Sequence, residues 1–316
     1  MPCYSPLTGY KSKTLTENGK RKIVFNTQDG YTDLKIKVPC GQCTGCRIDY
    51  SRQWAVRCMH EASLHESNCF ITLTYNNENL PGDYSISKTE LKNFWKRLRK
   101  HTGAKIRYFA CGEYGDQNNR PHYHAIIFGY DFSDKYLYNK RNGNLYFRSP
   151  LLEKAWQNKG YCIIGNVTFE SCAYVSRYVM KKRKGKPDHI DPLTGKTNEE
   201  YYLLVDEETG ETFNLEPEFC NMSLKPGIGA DWFHKYKDTD LHKDYFTIQG
   251  KKHKLPNYYD YLIMKDDAQD LLFRKSKRIQ AMRAKASEYT PERLEIKEKV
   301  LNHKLKLLTR GYENET

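Results

Sequence analysis

The sequence predicts an α+β fold, with a central antiparallel sheet flanked by helices, a cysteine-rich N-terminal segment and a basic C-terminal extension. Three observations lead there. Runs rich in β-branched and aromatic residues, Cys69 to Tyr75 and His122 to Phe128, read as buried strands. Helical periodicity fills the stretches between such runs. From residue 69 to 182 the order is strand, helix, hairpin, helix, strand, helix, which suits an antiparallel sheet with helices packed on it.

Each element has its own signal. Residues 1–50 are rich in turn formers and carry a cysteine cluster. Arg52 to Leu64 can form a helix, with Trp54, Ala55, Cys58 and Ala62 near one face. After the Cys69 to Tyr75 strand, Asn76 to Ser85 is a polar loop containing Pro81-Gly82. Ser87 and Glu90 have the spacing of a capping box, and Leu91, Phe94, Trp95 and Leu98 then recur at helical spacing. Lys105 to Gly112 reads as a strand, Asp116 to Pro121 as a turn and His122 to Phe128 as the returning strand of a hairpin. A short helix follows over Leu151 to Gln157, a strand over Tyr161 to Phe169 and a helix over Ser171 to Lys182. The pattern then loosens through the basic run Lys181 to Lys186 and the polar stretch from Asp188 to Gly210. A basic amphipathic helix is expected from Pro291 to Leu308. The organisation expected is a segment 1–50, a central domain 51–185 and an accessory region 186–316.

Composition narrows the partner. The 316 residues carry a net charge of +13, and 13% are aromatic, with 25 tyrosines. Basic residues interleaved with aromatics suit a single-stranded nucleic acid, because charge tracks the phosphates and rings stack on bases. The residues from Met1 to Tyr10 lack a basic start followed by an apolar run, and no stretch is apolar enough to span a bilayer. The expectation is a protein of a reducing cytoplasm, whose ten cysteines are thiols or metal ligands rather than disulfides.

Two constellations carry chemistry. His122 and His124 form the sequence's single His-x-His, and residues two apart on a strand share a face. If the hairpin turns near Asn118, Glu113 returns beside them and completes a two-histidine, one-carboxylate ligand set with open positions for a phosphate oxygen. A merely structural histidine pair is the competing reading. The second constellation is Tyr174 and Tyr178, four apart and so on one helical face. A tyrosine can attack a phosphate, and Arg177, Lys181 and Lys182 would favour its phenolate and hold the backbone of a nucleic acid; Arg120, beside the histidines, is a further candidate for binding DNA. Ordinary core packing is the competing reading here.

Cys40, Cys43 and Cys46 have C-x2-C-x2-C spacing. A structural zinc site with Cys3 as fourth ligand, an iron–sulfur cluster and idle thiols all remain open. The next cysteine of a bacterial ferredoxin would fall at Tyr50, which weighs against the cluster. Pro39-Cys40 with Cys43 also matches half of a zinc deaminase signature, but the first histidine, His60, comes too late for it.

Together these elements resemble the HUH endonucleases. The triplet is His122-Tyr123-His124, the preceding apolar strand is Phe70 to Tyr75, and the tyrosine motif is Tyr174 to Lys181. The tyrosines follow the histidines, as in replication initiators, rather than precede them, as in relaxases. The sequence is most similar to initiators of the gokushovirus branch of the Microviridae, through Met1-Pro2-Cys3, Pro39 to Cys46, Arg120 to His124 and Pro226 to Gly229. The resemblance covers roughly residues 1–235. It implies that 51–185 is an HUH endonuclease domain with Mg2+ or Mn2+ at Glu113, His122 and His124. It further implies nicking and rejoining of single-stranded phage DNA at the replication origin through a 5′-phosphotyrosine, in the host bacterial cytoplasm, with host helicase and polymerase as partners. The two tyrosines would alternate, and Tyr178 is slightly favoured to act first because it lies nearer Lys181. A non-enzymatic zinc-dependent single-strand-binding protein and an HUH transposase are the alternatives.

Overall fold

The computed structural model describes residues 3–307 apart from 18, 116–117, 142, 179–186, 189, 191–194, 207–208, 242–243 and 249, with side chains left aside at 178, 251 and 306. The run from Lys181 to Lys186 therefore lies outside the described residues, as do Met1 and Pro2. In chain order the elements are β1 (Leu7–Leu15), β2 (Arg21–Val24), β3 (Gly30–Val38), α1 (Thr44–Ala62), β4 (Asn68–Leu73), α2 (Lys88–Thr102), β5 (Arg107–Tyr114), β6 (Pro121–Phe128), β7 (Tyr136–Arg141), β8 (Asn144–Arg148), α3 (Pro150–Ala155), β9 (Cys162–Gly165) and α4 (Phe169–Tyr178). There follow α5 (Asn198–Tyr201), β10 (Leu203–Val205), β11 (Thr212–Asn214), β12 (Phe219–Met222), α6 (Ala230–Asp240), β13 (Tyr245–Ile248), β14 (Lys251–Lys254), α7 (Asn257–Asp266), α8 (Ala268–Arg283) and α9 (Pro291–Lys306).

The chain forms two compact units, one of Met1–Tyr50 with Leu272–Arg310 and one built on Ser51–Leu271. The second holds the expected α+β core. Its antiparallel sheet has seven strands in the order β12-β5-β6-β4-β9-β8-β7. All eight residues of β6 are buried, so both faces of the sheet are covered. Strand parity sorts the side chains. Cys69, Ile71 and Leu73 of β4 and Tyr123, Ala125 and Ile127 of β6 meet Leu91, Phe94, Trp95 and Leu98 of α2 and Trp156 after α3. On the opposite face Phe70 of β4, Phe109 and Cys111 of β5, and Ile126 and Phe128 of β6 meet Trp54, Ala55 and Cys58 of α1 and Cys172 and Val175 of α4. Ser87 caps α2 as its spacing predicts, accepting from the Glu90 amide at 3.2 Å. The Glu90 carboxylate is drawn instead to Arg97 and Lys159.

The sequence boundary at 185 does not mark an edge of this unit. Strand β12 hydrogen-bonds to β5, with Phe219 opposite Gly112 and Met222 opposite Phe109, and becomes the sheet's seventh strand. The Pro226 to Gly229 stretch then seats Ile228 in the core of the α1/α4 face. Its backbone is held by charges from the other elements. Arg107 donates to the Pro226 carbonyl at 2.8 Å, Arg57 to that of Ile228 at 3.0 Å, and the Gly229 amide donates to Glu61 at 2.7 Å. Glu61 is buried and also pairs with Arg107, which gives its charge the partner that burial demands.

A further apolar cluster, invisible to periodicity, joins Val56 of α1 to Trp232 and Phe233 of α6, Phe246 of β13, and Tyr259 and Leu262 of α7. His60 lies within it, stacked on Trp232 with centroids 3.5 Å apart and bonded through Nδ1 to the Tyr259 hydroxyl at 2.8 Å. In the other unit β1, β2 and β3 form a three-stranded antiparallel sheet within a stretch read only as rich in turn formers. Their residues are mostly exposed, so no apolar alternation announced them. Among the described residues no helix is long and apolar enough to cross a membrane.

Burial, aided by neighbouring His253, depresses the His60 pKa from its ordinary 6.5 to about 3. The unfolded chain therefore binds a proton through this window that the folded chain refuses. Stability tied to His60 is complete above pH 6.5 and is lost as pH falls toward 3, by up to about 1.4 kcal/mol per pH unit. Melting temperature measured from pH 7 to 4 should fall, and His60→Gln should flatten the slope; an unchanged slope would remove His60 from the account.

Candidate metal centre and tyrosine helix

The β5/β6 register assembles the first constellation. Glu113 stands opposite His122, and Cys111 opposite His124. Parity turns Glu113, His122 and His124 to the α1/α4 face, where they are 2%, 6% and 3% exposed. Glu113 lies within β5 rather than just beyond it. Each of the three residues offers a ligand atom within 4.8 Å of the others. Glu113 Oε1 lies 2.9 Å from His124 Nε2, and the two imidazole centroids are 5.8 Å apart. Burial and the neighbouring His124 hold the His122 pKa down at about 4, against the pull of Glu113. Its ring is neutral at pH 7, the form that ligates a metal. A buried carboxylate beside two imidazoles on one rigid hairpin fits a divalent ion.

Three residues around the triad had no role assigned in the sequence reading. Thr72 of β4 pairs in register with His124, and its hydroxyl lies 2.9 Å from Nδ1. A hydroxyl can donate or accept, so Thr72 orients the ring in either tautomer. Phe70, two residues earlier on the same face, stacks on His124 at 5.9 Å and 9°. Gly115 follows β5, and a Cβ there would come within 2.8 Å of His122 Cε1. The signal for Thr72 and Phe70 was their parity on a strand beside the histidines; for Gly115 it was a glycine two residues after Glu113.

Helix α4 brings Tyr174 to this face. Its ring is 4% exposed and meets His124 edge-on, with centroids 5.0 Å apart and planes at 84°. Tyr174 is thus buried with Val175, not at a border with solvent as a helical wheel suggests. The exposed Arg177 sets its guanidinium 5.4 Å from the Tyr174 ring centroid. Tyr178 is the last residue of α4, one turn further on. Its side chain, and Lys181 and Lys182 entirely, lie outside the described residues. Arg120 is half-buried and holds the loop after β4, donating to Asn77 Oδ1 at 2.8 Å and to the Tyr75 carbonyl at 3.0 Å. In the other unit Cys3, Cys40, Cys43 and Cys46 come together, their sulfurs all within 4.8 Å of one another.

Comparison with known proteins finds replication-associated proteins. Residues 68–183, which span the sheet core, the triad and the tyrosine helix, match the family model for Replication-associated protein ORF2/G2P. The chain is 28% identical over 253 residues to Replication-associated protein VP4 of Bdellovibrio phage phiMH2K, covering 77% of this chain and 72% of that one. It is 28% identical over 257 residues to Replication-associated protein ORF4 of Chlamydia phage 1, covering 78% of this chain and 59% of the relative. With Replication-associated protein ORF2 of Spiroplasma virus 4 it shares 31% identity over 237 residues, 71% of this chain and 66% of the relative. No solved structure matches the chain. The chain belongs to the gokushovirus-type replication initiators of the Microviridae.

Manganese titration of the purified protein reads the triad directly. His124→Ala and Glu113→Gln should abolish tight binding at this site, whereas Thr72→Val should weaken it about 10- to 100-fold by freeing the ring. Gly115→Ala should also weaken it, since His122 must shift. Unaltered affinity in His124→Ala would dissolve the site.

Proposed function

We propose that this protein is a metal-dependent tyrosine endonuclease that starts rolling-circle replication by nicking and rejoining single-stranded phage DNA at its origin. The observation that carries the reading is the adjacency of Tyr174 to the His124 edge of a buried Glu113, His122 and His124 triad. The names of the relatives favour a replication role over transposition. The charge of +13 suits a phosphate backbone as the ligand.

Glu113, His122 and His124 would hold the ion. Two imidazoles favour Mn2+ over the harder Mg2+. When bound, the ion polarises a phosphate oxygen and steadies the charge that builds on it. The chain's own residues do the rest. Thr72 and Phe70 keep His124 fixed. A phenolic oxygen from α4, of Tyr174 or Tyr178, attacks the scissile phosphorus and loses its proton, and the bond from phosphorus to the 3′ oxygen breaks. That oxygen takes up a proton and leaves as a free 3′ hydroxyl, with the 5′ phosphate esterified to tyrosine. One phosphodiester replaces another, so a later attack by a 3′ hydroxyl reverses the step without a nucleotide cofactor. Arg177, beside the Tyr174 ring, would favour the phenolate, and Lys181 and Lys182 extend the same basic motif. Tyr174, already against His124, is the better candidate for first attack. The reaction would run in the host bacterial cytoplasm, where a host helicase and polymerase extend the free 3′ end.

Labelled single-stranded circular phage DNA incubated with the protein and Mn2+ should yield a denaturant-resistant protein–DNA adduct. EDTA should abolish it, as should the Tyr174→Phe/Tyr178→Phe pair. His122→Ala should lose the adduct while keeping salt-sensitive DNA binding. Tight binding with no adduct under any divalent metal would replace the nuclease with a non-enzymatic single-strand-binding protein.

A further inference from the structure

The unit made of the N-terminal strands and the C-terminal helices lacks what normally folds a domain. None of the three apolar clusters draws on a residue of 3–50 or 272–307. Among the described residues of this unit, Leu294 is the sole buried apolar side chain larger than glycine. Leu7, Leu15, Ile23, Phe25 and Leu34 on or beside its three strands are all exposed, from 42% to 60%. Small units of this kind require a metal, disulfides or a partner to hold them.

We propose that Cys3, Cys40, Cys43 and Cys46 bind one structural zinc ion, and that this ion stands in for a hydrophobic core in folding the unit. Cys3 Sγ lies 3.5 Å from Cys40 Sγ and 3.9 Å from Cys43 Sγ. Sulfurs at the corners of a tetrahedron with zinc–sulfur bonds of about 2.3 Å stand about 3.8 Å apart. Disulfide sulfurs approach to about 2 Å, so these four are thiols held at ligand spacing, not bonded pairs. An iron–sulfur cluster distributes its cysteines over several irons and needs them further apart than four ligands of one ion.

The backbone is arranged for thiolates. The amides of Gln42 and Cys43 point at Cys40 Sγ, at 3.5 and 3.3 Å. The Cys40 amide points at Cys3 Sγ at 3.2 Å, and that of Tyr4 at Cys43 Sγ at 3.3 Å. Gly41, at φ +76°, makes the turn that converges two amides on one sulfur. Idle thiols need no such donors, whereas sulfurs that share a cation keep negative charge that amides stabilise. Cys46 reaches the group from the first turn of α1. Four protein ligands close the coordination sphere, which assigns the ion to structure and leaves no position for substrate.

The full-length protein, purified without chelator, should contain about one zinc per chain by mass spectrometry. The His122→Ala/His124→Ala variant should keep it, because the site is independent of the proposed nuclease triad. Cys43→Ser should lower zinc at least tenfold. Should that variant fail to fold, the wild-type protein provides a second reading. A mercurial that titrates thiolates should release the zinc, and limited proteolysis should then remove residues before 51 and after 271 while the remainder survives. Cobalt substitution should give the intense visible absorption of a tetrahedral tetrathiolate. Iron in place of zinc, zinc lost in the histidine variant but kept in Cys43→Ser, or a protease pattern indifferent to zinc release would each overturn the proposal.

Discussion

The site depends on one register. Glu113 meets His122 across β5 and β6 because Arg107 pairs with Phe128 and every step between holds. A slip of β6 by one residue would turn both histidines to the α2 face, away from Glu113. The register is fixed by burial on two sides. Tyr123, Ala125 and Ile127 have no other home than the α2 face, and Ile126 and Phe128 none but the α1/α4 face. Thus the apolar residues of β6 aim its polar ones. They also supply the water-poor setting in which the His122 imidazole stays neutral.

Around that hairpin the unit is tied together by buried charge as much as by apolar packing. Glu61 on α1 joins Arg107 at the start of β5 to the Gly229 amide ahead of α6. Arg57, also on α1, holds the Ile228 carbonyl while its guanidinium lies between the Trp54 and Tyr258 rings, 3.9 and 4.0 Å from their centroids. Residues distant in sequence therefore meet at one helix. The Pro226 to Gly229 stretch, whose likeness to related initiators had no chemistry attached, is a fastening of this unit.

Much of this was written locally and could be read. The β4, β5, β6 and α2 signals are strong because both faces of the sheet are buried, which gives apolar strands and a clear helical stripe. The meeting of Glu113 with the histidines followed from a hairpin and period-two alternation alone. What was not legible is long-range. Thr72 lies in the Phe70 to Tyr75 strand motif, but only its pairing with His124 gives it a role. The seventh strand, Phe219–Met222, is four residues long and ordinary in composition. The N-terminal strands went unseen because β3 is mostly exposed and β1 mixes exposed with half-buried residues, so neither shows apolar alternation. The depth of Tyr174 was also out of reach, because a helical wheel cannot know how deep a helix sits.

The edge strand β12 imposes an order on synthesis. Chain emerging from the ribosome supplies the histidines, then the tyrosine helix, and only afterwards the strand that covers β5 and the isoleucine that fills the floor beneath them. A nascent chain that has released residues 68–183 holds every proposed reactive group but leaves one long strand edge bare. The sheet and the core that surround the triad are therefore complete only once residue 229 has been made.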